Sequence, residues 1–215
     1  SSAASDVYKR QEELFNTISH GIAALASSVG FVLLVILGDS SELSFTLFSS
    51  IVFGVSLVSL YTFSTIYHGA RNAKTKNIFH ILDHCGIYLL IAGTYTPVLL
   101  VSIGGTTGWM IFGIQWTVAL MGIAMKIFYT GKFNVISTLM YALMGWMIVL
   151  QWQDLVESIP SAAVTLLLAG GISYTVGIVF YLIDTRLKFS HFIWHLFVMA
   201  GSCLHYIMIV KYVLI

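Results

Sequence analysis

Two histidines stand four residues apart near the start of the last apolar run, in His191-Phe192-Ile193-Trp194-His195. On a helix, positions i and i+4 share one face about one turn apart. That spacing lets two imidazoles grip one metal ion. Ionisable groups inside an apolar segment are costly and mark functional positions. A second polar pair, Ser64 and His68, ends another apolar run, and Asp83 lies one to two turns into the next. Three neutral imidazoles with a position left open form the ligand set of a catalytic type of zinc site. His68, His191 and His195 would supply these ligands. Asp83 would bind the metal, or hold its water and act as general base, and Ser64 would orient an imidazole or the water. Zn2+ in such a site brings the pKa of a coordinated water to about 7. A carboxylate beside it offsets part of the divalent charge.

Competing assignments exist for each of these residues. His191 and His195 alone could be two imidazoles hydrogen-bonded within a helix bundle. His80 and His84 make a rival i, i+4 pair, although His84 stands about 100° around the helix from Asp83. Glu13, Asn16 and His20 gather at the depth of the first pair, and with His84 they are expected to flank the ligands. His20 also suits a packing role at a helix start. His205 lies ten residues beyond His195, about 15 Å further along a helix, and is expected to be a satisfied core histidine.

The elements that must position these groups follow from composition. The chain has 215 residues, 58% hydrophobic and only 9% charged, with a mean hydropathy of +0.92. A soluble domain carries roughly a quarter charged residues, so a water-covered surface is excluded and a polytopic membrane protein is expected. A formal charge of +1 points to no acidic partner, and no nucleic acid is expected. Membrane lipids are the expected partners. Cys85 and Cys203 fall in apolar runs and are expected to stay reduced. Ser1–Asp6 is polar, unlike a signal peptide, and reads as a cloning remnant, with 7–215 forming one transmembrane domain.

Seven apolar runs approach the length of a spanning helix, at roughly 17–37, 44–67, 78–100, 107–128, 133–152, 162–183 and 190–213. The links are short, as in Tyr129–Lys132 and Asp184–Phe189, so the runs read as one all-α bundle of seven transmembrane helices. Nine basic residues fall on one side: Lys9, Arg10, Arg71, Lys74, Lys76, Lys126, Lys132, Arg186 and Lys188. The opposite side holds Asp39, Glu42, Asp154 and Glu157, with Lys211 alone among the bases. This bias predicts a cytoplasmic N-terminus and an outer C-terminus. Six of the seven histidines and Asp83 then fall in the cytoplasmic leaflet. Pro97 should loosen the outer end of the third span. Small residues (Gly54, Ser56 and Ser59; Gly170, Gly171 and Gly177) suggest close helix contacts. Met140, Met144, Trp146 and Met147 read as lipid or packing surface, and Trp109, Trp116 and Trp152 as belt residues.

Glu13-x-x-Asn16-x-x-x-His20, Ser64-x-x-x-His68 followed by Asp83, and His191-x-x-x-His195 resemble the signature motifs of the hemolysin III family. Leu82-Asp83-His84 and Ile91-Ala92-Gly93-Thr94-Tyr95-Thr96-Pro97 fit the same pattern. That family is the bacterial branch of the progestin and adipoQ receptor superfamily, which includes the adiponectin receptors. The resemblance runs from Glu13 to about His205. It implies a seven-helix fold with a cytoplasmic N-terminus in a bacterial plasma membrane. It also implies zinc held by His68, His191 and His195, with Asp83 on its water. The superfamily's alkaline ceramidases hydrolyse a lipid amide, so the resemblance implies a metal-dependent hydrolase of lipid amides or esters, linked to membrane lipid homeostasis. A different class of function is a non-enzymatic, zinc-stapled sensor, receptor-like or cytolytic protein. A third, a proton or ion carrier, would need a polar path outward, for which His205 is the one evident candidate.

Overall fold

The computed structural model describes residues 2–129 and 132–215, with side chains described from Val7 onward. Ser1, part of the expected cloning remnant, and Thr130 and Gly131, in the Tyr129–Lys132 link, lie outside the described residues. Regular structure among the described residues is entirely helical. The helices are α1 (Ser2–Ser40), α2 (Thr46–Gly69), α3 (Ala73–Pro97), α4 (Gly105–Tyr129), α5 (Asn134–Trp146), α6 (Trp152–Ser158), α7 (Ser161–Leu182) and α8 (Ser190–Tyr212). Seven helical stretches are long and apolar enough to cross a membrane, the fifth of them, Asn134–Ser158, combining α5 and α6. This is the expected all-α architecture.

Helix ends depart from the apolar runs for local reasons. α1 continues outward through Lys9, Arg10 and Glu13, which are good helix formers that hydropathy does not register. α3 starts earlier than expected because Asn72 caps it. The Asn72 side-chain oxygen accepts from the Lys74 and Thr75 backbone N–H groups at 2.9 and 3.3 Å. At the far end Pro97 does loosen the helix. It lacks an N–H and crowds the preceding turn, and the chain widens into a π-helix over Val98–Ile103. Gly104, at φ 62°, ends this segment with its N–H on the Leu99 carbonyl.

One break was not foreseen. The fifth span narrows into a 3-10 turn over Met147–Gln151. Tyr95 of α3 inserts there. Its hydroxyl donates to the Gly145 carbonyl at 2.8 Å and accepts from the Ile148 N–H at 2.9 Å. A side chain that takes over two backbone groups explains the loss of the regular ladder.

α1 packs on α2, α2 on α3 and α7 on α8, and α1 meets α8 to close the ring, while α4 and α5 lie against α3. α3 is the innermost span: 67% of its most apolar stretch is buried, against 17% for α1. Small residues permit several close approaches. A Cβ at Gly93 would run into Ser56, and one at Gly54 into Phe31. Gly170 lies against the His205 ring and Gly177 against Trp194. Met144 is buried, Trp109 and Trp152 are exposed on the apolar exterior, and Trp116 turns inward to donate to Thr96 Oγ1 at 3.2 Å. Both cysteines are free.

Tyr95→Phe keeps the ring but leaves both backbone groups of the fifth span, the Gly145 carbonyl and the Ile148 N–H, without their partner. Loss of these two bonds should destabilise the purified protein by about 1–2 kcal/mol. An unchanged melting temperature in detergent would show that the hydroxyl does not maintain the break.

Candidate metal centre

The last two turns of α2 carry Ser64 and His68, while the first two turns of α8 carry His191 and His195. The start of α8 is fixed by its own loop. Phe189 takes a left-handed conformation at φ 58°, and Ser190 Oγ donates back to the Phe180 carbonyl at 2.6 Å. The ends of α2 and α8 therefore meet at the end of the bundle where α1 enters.

The three histidines proposed from spacing converge. One ligand nitrogen from each of His68, His191 and His195 lies within 4.8 Å of the others. Their ring centroids are 5.2, 5.0 and 4.9 Å apart, a nearly equilateral triangle. No other group of three potential ligands occurs among the described residues.

The outer nitrogens explain how the rings are aimed. His68 Nδ1 donates to Glu13 Oε2 at 2.7 Å, and Glu13 Oε1 accepts from Lys76 Nζ at 2.8 Å. His68 Nε2 is then buried with no hydrogen-bond partner. His195 Nδ1 faces Ser19 Oγ at 3.5 Å, and His191 Nδ1 faces Asp184 Oδ2 at 3.6 Å. An imidazole whose Nδ1–H is held by a carboxylate or hydroxyl presents Nε2 as a lone-pair donor, the usual arrangement behind a metal-bound histidine. An orphaned ligand atom in a cluster of two buried imidazoles and one half-buried imidazole fits a divalent metal ion.

The other predicted site residues surround this cluster. Asp83 and Ser64 line the same cavity of about 470 Å³ as the three imidazoles. Ser64 Oγ is buried beside Asp83. His20 stacks on His195 with centroids 3.5 Å apart and planes at 7°, and meets the edge of Tyr61 at 5.0 Å. Asn16 Oδ1 and both His20 nitrogens have no partner among the described residues. His84 also lines the cavity, but its Nδ1 donates to the His80 carbonyl at 2.8 Å. Commitment of that nitrogen to its own helix separates the rival His80–His84 pair from the ligand cluster.

From the cluster the cavity runs inward past Leu90, Ile91 and Val198 to His205. His205 Nε2 donates to the Leu167 carbonyl at 3.0 Å, as expected for a satisfied core histidine, although Nδ1 is left without a partner. Beyond it α8 presents Met208 and Ile209, both fully buried. The inner face thus turns apolar beyond His205.

Three contacts were missed from sequence: Ser19, Lys76 and Asp184. Ser19 stands beside His20 without a motif of its own. Lys76 carried only a topology signal, and Asp184 sits in a turn seven residues before His191. Each meets its partner only through packing of separate elements.

Comparison with known proteins agrees with the motif reading. A family profile described as "Haemolysin-III related" matches residues 8–206. "Hemolysin-3" of Bacillus cereus is 44% identical over 204 residues, covering 95% of this chain and 93% of that protein. "Hemolysin-3 homolog" of Bacillus subtilis (strain 168) is 42% identical over 202 residues, covering 94% of each. The similarity extends to "Monocyte to macrophage differentiation factor" of Homo sapiens, 31% identical over 209 residues, which cover 94% of this chain and 84% of that one. With its seven apolar helices and this extent of similarity, the chain belongs to the hemolysin III family of multi-pass membrane proteins.

Proposed function

We propose that the chain is a zinc-dependent hydrolase of membrane lipid amides or esters, with its site in the cytoplasmic leaflet of a bacterial plasma membrane. The observation that carries this reading is a cluster of three imidazoles, two buried and one half-buried, lining a largely apolar cavity together with Asp83. Nine basic residues near the cluster's end of the bundle support a cytoplasmic N-terminus.

His68, His191 and His195 would hold the ion. Zinc would supply Lewis-acid polarisation of a carbonyl and a nucleophile usable at neutral pH. Leu90, Ile91 and Val198 give the cavity a hydrocarbon wall, which suits an acyl chain and excludes water. Asp83, which lines the same cavity, would take a proton as water adds to the carbonyl carbon. Ser64 Oγ, one turn from His68 and beside Asp83, would offer a hydrogen bond to the polar part of the substrate or to Asp83. Glu13 and Lys76 keep the His68 ring aimed.

A second reading is favoured by where the ligands come from. They join α2 to α8, and Glu13 and Ser19 add α1. A metal there would staple three helices of a sensor, receptor-like or cytolytic protein without turnover.

Metal analysis of the purified protein should find roughly one zinc per chain, with His68→Ala and His191→Ala largely devoid of it. Equal metal content in all three would remove the ligand assignment. Glu13→Gln should weaken zinc affinity by about 10-fold or more in chelator competition, because the amide is a poorer acceptor for His68 Nδ1–H. Asp83→Asn should keep its zinc and lose about 100- to 10,000-fold in turnover on lipid extracts. If chelation lowers thermal stability while wild type never forms a lipid product, the stapled, non-enzymatic reading holds instead. A reporter fused after Ile215 should be active only outside the cytoplasm.

A further inference from the structure

The short connection between α7 and α8 does more than join two spans. It folds as consecutive turns, with the Arg186 and Leu187 N–H groups both on the Ile183 carbonyl at 2.9 and 3.1 Å. Its far end is pinned to the amino-terminal part of α1. The Phe189 N–H donates to Tyr8 Oη at 2.8 Å, and the Phe189 ring packs against Tyr8 and Phe15 at 5.1 and 5.8 Å. This anchoring holds Asp184 on the cavity wall, with Oδ2 at 3.6 Å from His191 Nδ1. The separation is just beyond a hydrogen bond.

The charges around the cluster set Asp184 apart from Glu13. The Glu13 carboxylate is matched by Lys76 at 2.8 Å. Asp184 pairs with an imidazole that would be neutral while it ligates a metal. Its negative charge, with that of Asp83 on the same cavity, then offsets a divalent cation among three neutral ligands.

We infer that Asp184 is a positioning residue for the metal centre: it holds the Nδ1–H of His191, so that Nε2 faces the ion shared with His68 and His195. This rests on the metal-binding part of the reading above. A carboxylate behind a ligating imidazole fixes its tautomer and ring plane and raises its basicity. Asp184 gives His191 from the α7–α8 turn what Glu13 gives His68 from α1. The third imidazole, His195, has the neutral Ser19 hydroxyl instead.

The test uses the full chain in mild detergent, with zinc ion alone titrated against a chromophoric chelator. Asp184→Ala should weaken zinc binding by about 10- to 100-fold. Asp184→Asn keeps an oxygen that accepts from Nδ1–H and should recover part of that loss, the remainder reflecting the missing charge and the weaker amide acceptor. With cobalt ion in place of zinc, the visible ligand-field bands of the Ala variant should shift from wild type, while those of the Asn variant should not. A merely structural role would lower the stability of the metal-free protein without moving those bands. Asp184→Ser serves as the truncation if the Ala variant does not fold. Unchanged zinc affinity on truncation overturns the inference, as does a loss that Asn fails to recover. If wild type itself binds no zinc, the metal reading fails and this inference with it. A zinc-binding wild type matched by its Ala variant sinks the inference alone.

Discussion

Everything at the entry end of this bundle follows from one constraint. Burying an imidazole in an apolar surrounding is costly unless its nitrogens are bonded or reserved. Buried His68 and His195 and half-buried His191 meet it in the same way. Each turns Nδ1 outward to an oxygen of Glu13, Asp184 or Ser19, at 2.7, 3.6 and 3.5 Å. The inward nitrogens are left facing one another, and His68 Nε2 remains without a partner. A divalent cation would satisfy such a set in one step, joining helices distant in sequence.

The rest of the bundle serves this convergence. α1 supplies two of the three outer oxygens and meets both α2 and α8, closing the ring at the level of the cluster. α3 occupies the centre and brings Asp83 to the cavity, while its far half carries the irregularities. There Pro97 widens the helix into a π-turn, and Tyr95 breaks the fifth span into a 3-10 turn. These departures lie toward the other end of α3, so the segment bearing Asp83 stays regular α-helix. Small residues then let neighbouring backbones and rings approach: Gly93 gives room to Ser56, and Gly170 to His205.

Much of the site could be read directly from the chain, because its members fall at helical spacing or at a common depth. His191 and His195 are one turn apart, as are Ser64 and His68, and charge asymmetry assigns both pairs and Asp83 to the same end. Close pairs within one helix were the less informative signal. His80 and His84 have the same spacing, yet His84 Nδ1 folds back on the His80 carbonyl. Trp116 looked like a belt residue from its composition and position, but it bonds inward to Thr96. The 3-10 break in the fifth span had no local signal, since its cause is a tyrosine hydroxyl from another helix.

The sequence by itself determined a seven-span helical membrane protein, its charge asymmetry, and a candidate set of three imidazoles with Asp83. It could do so because hydropathy, helical periodicity and basic-residue bias are local properties that add along a chain. Only the tertiary structure decided that the imidazoles face one another, and that Ser19, Lys76 and Asp184 stand near them. It also decided that the cavity runs inward to His205. These features depend on how helices rotate against one another, set by the fit of side chains from separate segments. Ser19 and His195 lie 176 residues apart and meet only because α1 packs on α8.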